Sequence, residues 1–234
     1  MPDEQDLAPF DPVDLWEQEA RRLESHFAAL TDDAWSAPSR CEGWSVRDVL
    51  AHLAATEVYF RACLDGGVGA LMEEMGARGA TDVASFNQLG IDERAGVATD
   101  ELLRTWSAED ADSRRGFRER GDGEVDSSVG AYPARLQAFH LAGEIAVHAD
   151  DVGITIPAEE QAARRAWRVP FSRFALNEVK PALRADIEAD RVHVQGDGVD
   201  VVLDADDFVE LVAGREPRTA TIDDTERAQI STMP

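Results

Sequence analysis

Residues 133–152 are apolar around most of a helical circumference, so a helix formed there must be enclosed by other helices rather than laid on a surface. Pro133 suits the start of such a helix, where its fixed φ costs nothing. Three further segments carry the 3.6-residue period. Residues 13–30 place Leu15, Trp16, Glu19, Leu23, His26, Phe27 and Leu30 at helical spacing. Residues 45–64 do so with the inward stripe Val49, His52, Thr56, Tyr59 and Cys63; Ser45 and Asp48 form an N-cap pair at the start, and Gly66, Gly67 and Gly69 end the run. A helix capped by Thr99 or Asp100 runs to about Arg118, where Gly121-Asp122-Gly123 stops it. Four helices with mostly modest connections predict an antiparallel bundle.

Between Gly69 and Thr99 the glycines Gly76, Gly79, Gly90 and Gly96 interrupt short helical stretches, which predicts a loop covering a pocket. After Pro157 the composition changes. Residues 159–183 are helical in pattern. Residues 191–203 then alternate and turn at Gly196-Asp197-Gly198, a β-hairpin signal. Residues 204–212 return to helix and end at Gly214, a residue suited to the left-handed closing position. The expected fold is α+β, mainly α: a bundle over residues 1–157, then a small α/β domain over residues 158–234. No internal repeat or low-complexity tract is present.

A chain of 234 residues with 44% hydrophobic content can bury a sizeable core. Its 47 acidic against 23 basic side chains give a net charge of −24, which repels nucleic acid and anionic membranes. The N-terminus has no basic segment followed by an apolar run, and no apolar stretch of about 18 residues occurs, so a cytoplasmic location is expected. Cys41 and Cys63 are too few for a disulfide framework and too far apart for a CxxC motif. Both are expected to be reduced.

The enclosed helix carries one polar stripe: Gln137, His140, Glu144, His148 and Asp151. Residues four apart on a helix are neighbours, so Glu144 and His148 can share one ion if another helix supplies a third ligand. His52, inward on its own helix, meets that requirement. Two imidazoles and a carboxylate suit Zn²⁺, tolerate Fe²⁺, Ni²⁺ or Mn²⁺, and leave a coordination position open. The alternative is plain: the stripe is the solvent face of the helix and His52 a hydrogen-bonded core residue. Cys41 precedes a helix N-terminus but has no histidine near it in sequence, and Trp44 reads as a packing anchor.

Two stretches carry a further signal. The run Cys41-Glu42-Gly43-Trp44-Ser45-Val46-Arg47-Asp48-Val49-Leu50-Ala51-His52-Leu53 and the later Glu144-Ile145-Ala146-Val147-His148-Ala149-Asp150-Asp151 resemble two signatures of the mycothiol-dependent maleylpyruvate isomerase family, which belongs to the DinB-like metal-binding helical bundles. The resemblance extends over nearly the whole chain, including a closing helix followed by Gly214-Arg215. Ala149 departs from the pattern, which usually has another residue there.

What the resemblance implies is a divalent metal, usually Zn²⁺, on His52, Glu144 and His148, with mycothiol as cosubstrate. A metal-bound thiol is deprotonated near neutral pH and becomes a nucleophile toward a small electrophile. The expected enzyme is an isomerase or an S-transferase, a monomer or weak homodimer whose partners are a low-molecular-weight thiol and that electrophile. Arg215 and Arg218 are candidates for gripping a carboxylate of substrate or thiol, and His140 and Asp151 for orienting the ligand imidazoles. A hydrolase using metal-bound hydroxide and a non-catalytic binding protein remain alternatives.

Overall fold

The computed structural model describes residues 2–232. One compact unit spans Pro12–Thr155. Its elements are α1 (Pro12–Ala28), the one-turn α2 (Asp32–Trp35), α3 (Val46–Asp65), α4 (Val68–Ala77), α5 (Val83–Glu93), α6 (Thr99–Arg120), a two-residue antiparallel ribbon of β1 (Glu124–Val125) and β2 (Tyr132–Pro133), and α7 (Ala134–Asp151). Helix α3 begins at Ser45, whose hydroxyl accepts from the Asp48 N–H while the Asp48 carboxylate accepts from the Ser45 N–H, and it ends at Gly66 with φ of 73°.

Helix α1 packs on α6 and α7, and α3 packs on α6 and α5. By contrast α3 and α7 are not a closely packed pair; they meet through side chains. The core of this unit holds Leu23, Leu50, Leu53, Ile145 and the fully buried rings of Trp16, Phe27, Trp106 and Phe139. Trp16 stands edge-on to Phe60 and Phe117.

The stretch from Gly69 to Thr99 is more regular than its glycines predict, because α4 and α5 occupy most of it. Tertiary docking overrides the local penalty. Gly90 lies so close to α3 that a Cβ there would stand 2.6 Å from Ala55 Cβ, so the missing side chain is what admits the contact. Arg47 of α3 then donates to the carbonyls of Arg94 and Val97 beyond the end of α5, at 2.9 and 2.6 Å.

The second unit combines the chain up to Asp11 with the chain from Ile156 onward. It contains α8 (Ala158–Val179), the antiparallel sheet β3 (Arg184–Glu188), β4 (Arg191–Gly196) and β5 (Val199–Asp204) in that order, α9 (Ala205–Val212) and α10 (Asp224–Ile230). The N-terminal stretch, placed with the bundle by sequence, joins this unit because the 3₁₀ helix Pro2–Leu7 packs on α8 with Leu7 buried. Helix α8 stops at Val179 rather than near residue 183: a residue preceding a proline disfavours the helical region, and Pro181 follows Lys180. That releases β3, a strand the sequence pattern did not reveal. Gly196 pairs with Val199, leaving Asp197-Gly198 as a two-residue turn with φ of 50° and 86°. Ala185, Val192, Val194 and Leu203 pack with Leu176, Phe208 and Leu211 into this unit's core. Among the described residues no helix is long and apolar enough to cross a membrane.

Buried acid groups sit inside the bundle between α1, α3 and α6. Asp110 is fully buried and accepts from Trp16 Nε1 at 2.6 Å and Arg114 Nε at 2.7 Å. Burial still pushes its carboxyl up to about 6 against the pull of Arg114. Glu57, also fully buried, takes the Ser113 hydroxyl at 2.6 Å, and burial followed by repulsion from Asp110 raises it well above the ordinary glutamate range. A carboxyl with a raised folded pKa costs stability once pH exceeds the unfolded value of about 4.3, and the cost grows until pH passes the folded value. Glu57→Gln is therefore expected to melt above wild type by a margin that widens from pH 5 to pH 8. A margin constant with pH in parallel thermal melts would show that Glu57 does not titrate this way.

Candidate metal centre

Helix α3 brings His52 and helix α7 brings Glu144 and His148 to the gap between them. Glu144 Oε1 lies 2.9 Å from His52 Nε2 and 3.1 Å from His148 Nε2. The three ligand atoms lie within 4.8 Å of one another. His52 and His148 are buried, and their rings meet edge to face with centroids 4.7 Å apart. The Glu144 side chain keeps 24% of its surface exposed, so Glu144 is the member of the cluster that meets solvent. The polar stripe of α7 is thus no solvent face: Gln137, His148 and Asp151 are all buried.

Electrostatics tie the three groups together. Burial alone would raise the Glu144 carboxyl, but His148 and His52 overcome that and hold it well below its ordinary value. Burial would likewise lower His148, yet Glu144, Asp151 and Cys41 raise it well above the usual imidazole range. A carboxylate shared by two imidazole nitrogens in a buried gap is the arrangement that a bound divalent cation would replace with ligand bonds. Two nitrogens and one oxygen are a borderline donor set of the kind that holds Zn²⁺. The residues present fit the ion.

Trp44 borders the site instead of serving only as a packing anchor. Its ring stands 5.0 Å from that of His52 and stacks on His148 at 6.5 Å and 26°. Asp151 Oδ2 lies 3.0 Å from His148 Nδ1, as expected for a residue that orients an imidazole. His140 stands 3.5 Å from the Tyr132 hydroxyl and is not one of the converging groups. Sequence reasoning missed Cys41, whose Sγ is 3.8 Å from His148 Nδ1 across 107 residues of chain. No local signal marks such a contact.

The family model described as mycothiol maleylpyruvate isomerase N-terminal domain matches residues 16–153, more than half of the chain, with both ligand-bearing helices inside the match. The chain belongs to that family. Among solved structures it resembles a mycothiol-dependent maleylpyruvate isomerase and a histidine-to-alanine mutant of one, each with a TM-score of 0.54 at 15% identity over 77% of this chain and 72% of the other. That likeness establishes the fold, mainly α and DinB-like with a small α/β part. No curated protein sequence matches the chain.

In this member of the isomerase family, the two candidate arginines lie in the C-terminal unit. Helix α9 ends in a Schellman arrangement, with Gly214 at φ of 72° and the Arg215 N–H on the Glu210 carbonyl at 2.8 Å. Arg215 is half-buried, and its Nη1 reaches the Ala213 carbonyl at 3.3 Å. Arg218 is exposed and pairs through Nε with Glu210 Oε1 at 2.8 Å. The buried Asp207 carboxylate fixes this segment by accepting from the N–H groups of Arg218, Thr219 and Ala220 and from the Thr219 hydroxyl. Burial opposes its charge, but these donors prevail and lower its pKa. A depressed carboxyl stabilises above its unfolded pKa, and that contribution is lost as pH falls through the folded value. Asp207→Ala should cost about 1–3 kcal/mol at pH 7 by orphaning those donors. The difference from wild type should shrink in melts run toward pH 3.

Proposed function

We propose that this chain is an enzyme that uses a divalent cation, foremost Zn²⁺, and mycothiol to act on a small electrophile, either by maleylpyruvate-type cis–trans isomerisation or by S-transfer. The observation that carries the reading is the convergence of His52 Nε2, Glu144 Oε1 and His148 Nε2, two buried imidazoles and a carboxylate that still meets solvent. Membership of the isomerase family supports it. A cation at this position, when bound, would keep a coordinated thiol deprotonated near neutral pH.

The residues divide the remaining work. His52 and His148 present their Nε2 atoms and Glu144 supplies negative charge. Trp44 shields both imidazoles, and Asp151 holds His148. Neither cysteine of the chain is needed as nucleophile. Cys63 is buried, and burial pushes its thiol up to about 11, so it carries almost no thiolate at neutral pH. Arg215 is assigned to a carboxylate of the electrophile, because a guanidinium fork matches a carboxylate in charge and shape, and Arg218 to the thiol cosubstrate, whose hydroxyl and amide oxygens would accept from its guanidinium. The enzyme would work in the reducing cytoplasm as a monomer or weak homodimer, consistent with free thiols at Cys41 and Cys63.

Elemental analysis should find about one zinc or similar ion per wild-type chain, lost in His52→Ala and His148→Ala. Thiol-dependent turnover of maleylpyruvate should fall on the order of 100-fold or more in His148→Ala with circular dichroism unchanged. Full thiol-dependent turnover in that variant would sink the reading, and product formed without any thiol would replace it with a hydrolase.

Arg215→Ala should raise KM for the electrophile about tenfold or more, the loss expected for a charge-assisted pair, while the metal content stays at the wild-type level. An unchanged KM would remove Arg215 from the site.

A further inference from the structure

The loop between α2 and α3 is built more tightly than a connection requires. The Ser39 N–H and hydroxyl both donate to the Trp44 carbonyl, at 2.9 and 2.8 Å. The Cys41 N–H donates to Ser39 Oγ at 3.1 Å and the Trp44 N–H to the Cys41 carbonyl at 3.0 Å. Pro38 and Ser45 close it as an antiparallel bridge. The Arg40 N–H donates to the Asp151 carbonyl at 3.0 Å, which pins the loop to the last turn of α7. The loop therefore delivers Cys41 in one fixed place, half-buried, with Sγ 3.1 Å from Asp151 Oδ2.

That oxygen also lies 3.0 Å from His148 Nδ1. An imidazole that gives a cation the lone pair of Nε2 must carry its proton on Nδ1, and a carboxylate facing Nδ1 selects that tautomer and fixes the ring. Asp151 Oδ2 would then accept twice, from His148 Nδ1–H and from the Cys41 thiol. We propose that Cys41 is a positioning residue of the metal site, donating to Asp151 Oδ2 so that Asp151 holds His148 with Nε2 turned toward Glu144 and His52. The proposal rests on the metal reading above. It gives the thiol a structural task distinct from nucleophilic attack, and it explains why a loop outside the bundle core is so fully hydrogen-bonded.

Cys41, His148 and Asp151 also stand close enough to share a cation directly, with Cys41 as a thiolate ligand. The two roles differ in what a hydroxyl can replace. Zinc affinity, measured by competition with a chromophoric chelator, should weaken about tenfold in Cys41→Ala, at the low end of what partners of ligand histidines control. It should return to within about twofold of wild type in Cys41→Ser, whose hydroxyl still donates to Asp151. Cobalt-loaded wild type, with no added thiol, should lack a sulfur-to-cobalt charge-transfer band. Should Cys41→Ala not fold, Cys41→Val serves as the variant without a donor.

Cys41→Ala or Cys41→Val binding zinc as wild type does would overturn the proposal while leaving the metal site intact. Affinity lost equally in Cys41→Ser, together with a charge-transfer band in wild type, would make Cys41 a ligand and overturn it as well. Wild type that takes up no zinc would overturn both this proposal and the metal reading.

Discussion

Glu144 Oε1 stands between two imidazole nitrogens, and every other part of the site is arranged around that contact. Its two partners come from different helices that barely pack on each other. Helices α1 and α6 fix the spacing: α6 carries α3, and α1 carries both α6 and α7. Apolar packing elsewhere in the bundle thus maintains a polar gap that would not hold itself open. Burial would neutralise a lone carboxylate, but two flanking imidazoles keep this one ionised.

The bundle contains a second buried acidic group with the opposite outcome. Glu57 sits five residues beyond His52 on the same helix and faces α6, where another carboxylate, Asp110, is the charge that weighs most on it. Its pKa rises where that of Glu144 falls. The contrast shows how one helix presents chemically similar interiors on two faces, with the difference set by the partner helix: basic imidazole on α7, acid and hydroxyl on α6. A carboxyl raised by burial costs stability at neutral pH, which a domain accepts only when packing around it is good. The rings of Trp16, Phe60 and Phe117 pack edge to face beside the other buried acid, Asp110, to which Trp16 Nε1 donates.

Much of the site was legible before any coordinates. The spacing of Glu144 and His148 forces them onto one face of any helix, and the stripe through Val49 and His52 points that histidine inward. What spacing left open was whether the α7 stripe faced water, and burial of Gln137, His148 and Asp151 decides it. The roles of Trp44 and Cys41 were not legible. Cys41 meets His148 across 107 residues, and only the folded loop brings them together. The glycines of residues 69–99 misled in the opposite direction. Gly90 reads as a helix breaker, yet it permits a helix to approach Ala55 more closely than any side chain would allow.

Sequence alone determined the four long helices of the bundle, the capping box at Ser45, the Asp197-Gly198 turn and the identity of the three ligand candidates. Each of these is a local consequence of periodicity, cap chemistry or backbone freedom, readable within a few turns of chain. Tertiary structure decided the rest: that α4 and α5 run through Gly76 and Gly90, that residues 2–11 join the C-terminal unit, and that Cys41 reaches Asp151. Those outcomes depend on contacts between segments far apart in the chain. Their energies exist only once the partner surface has formed, so no local pattern encodes them.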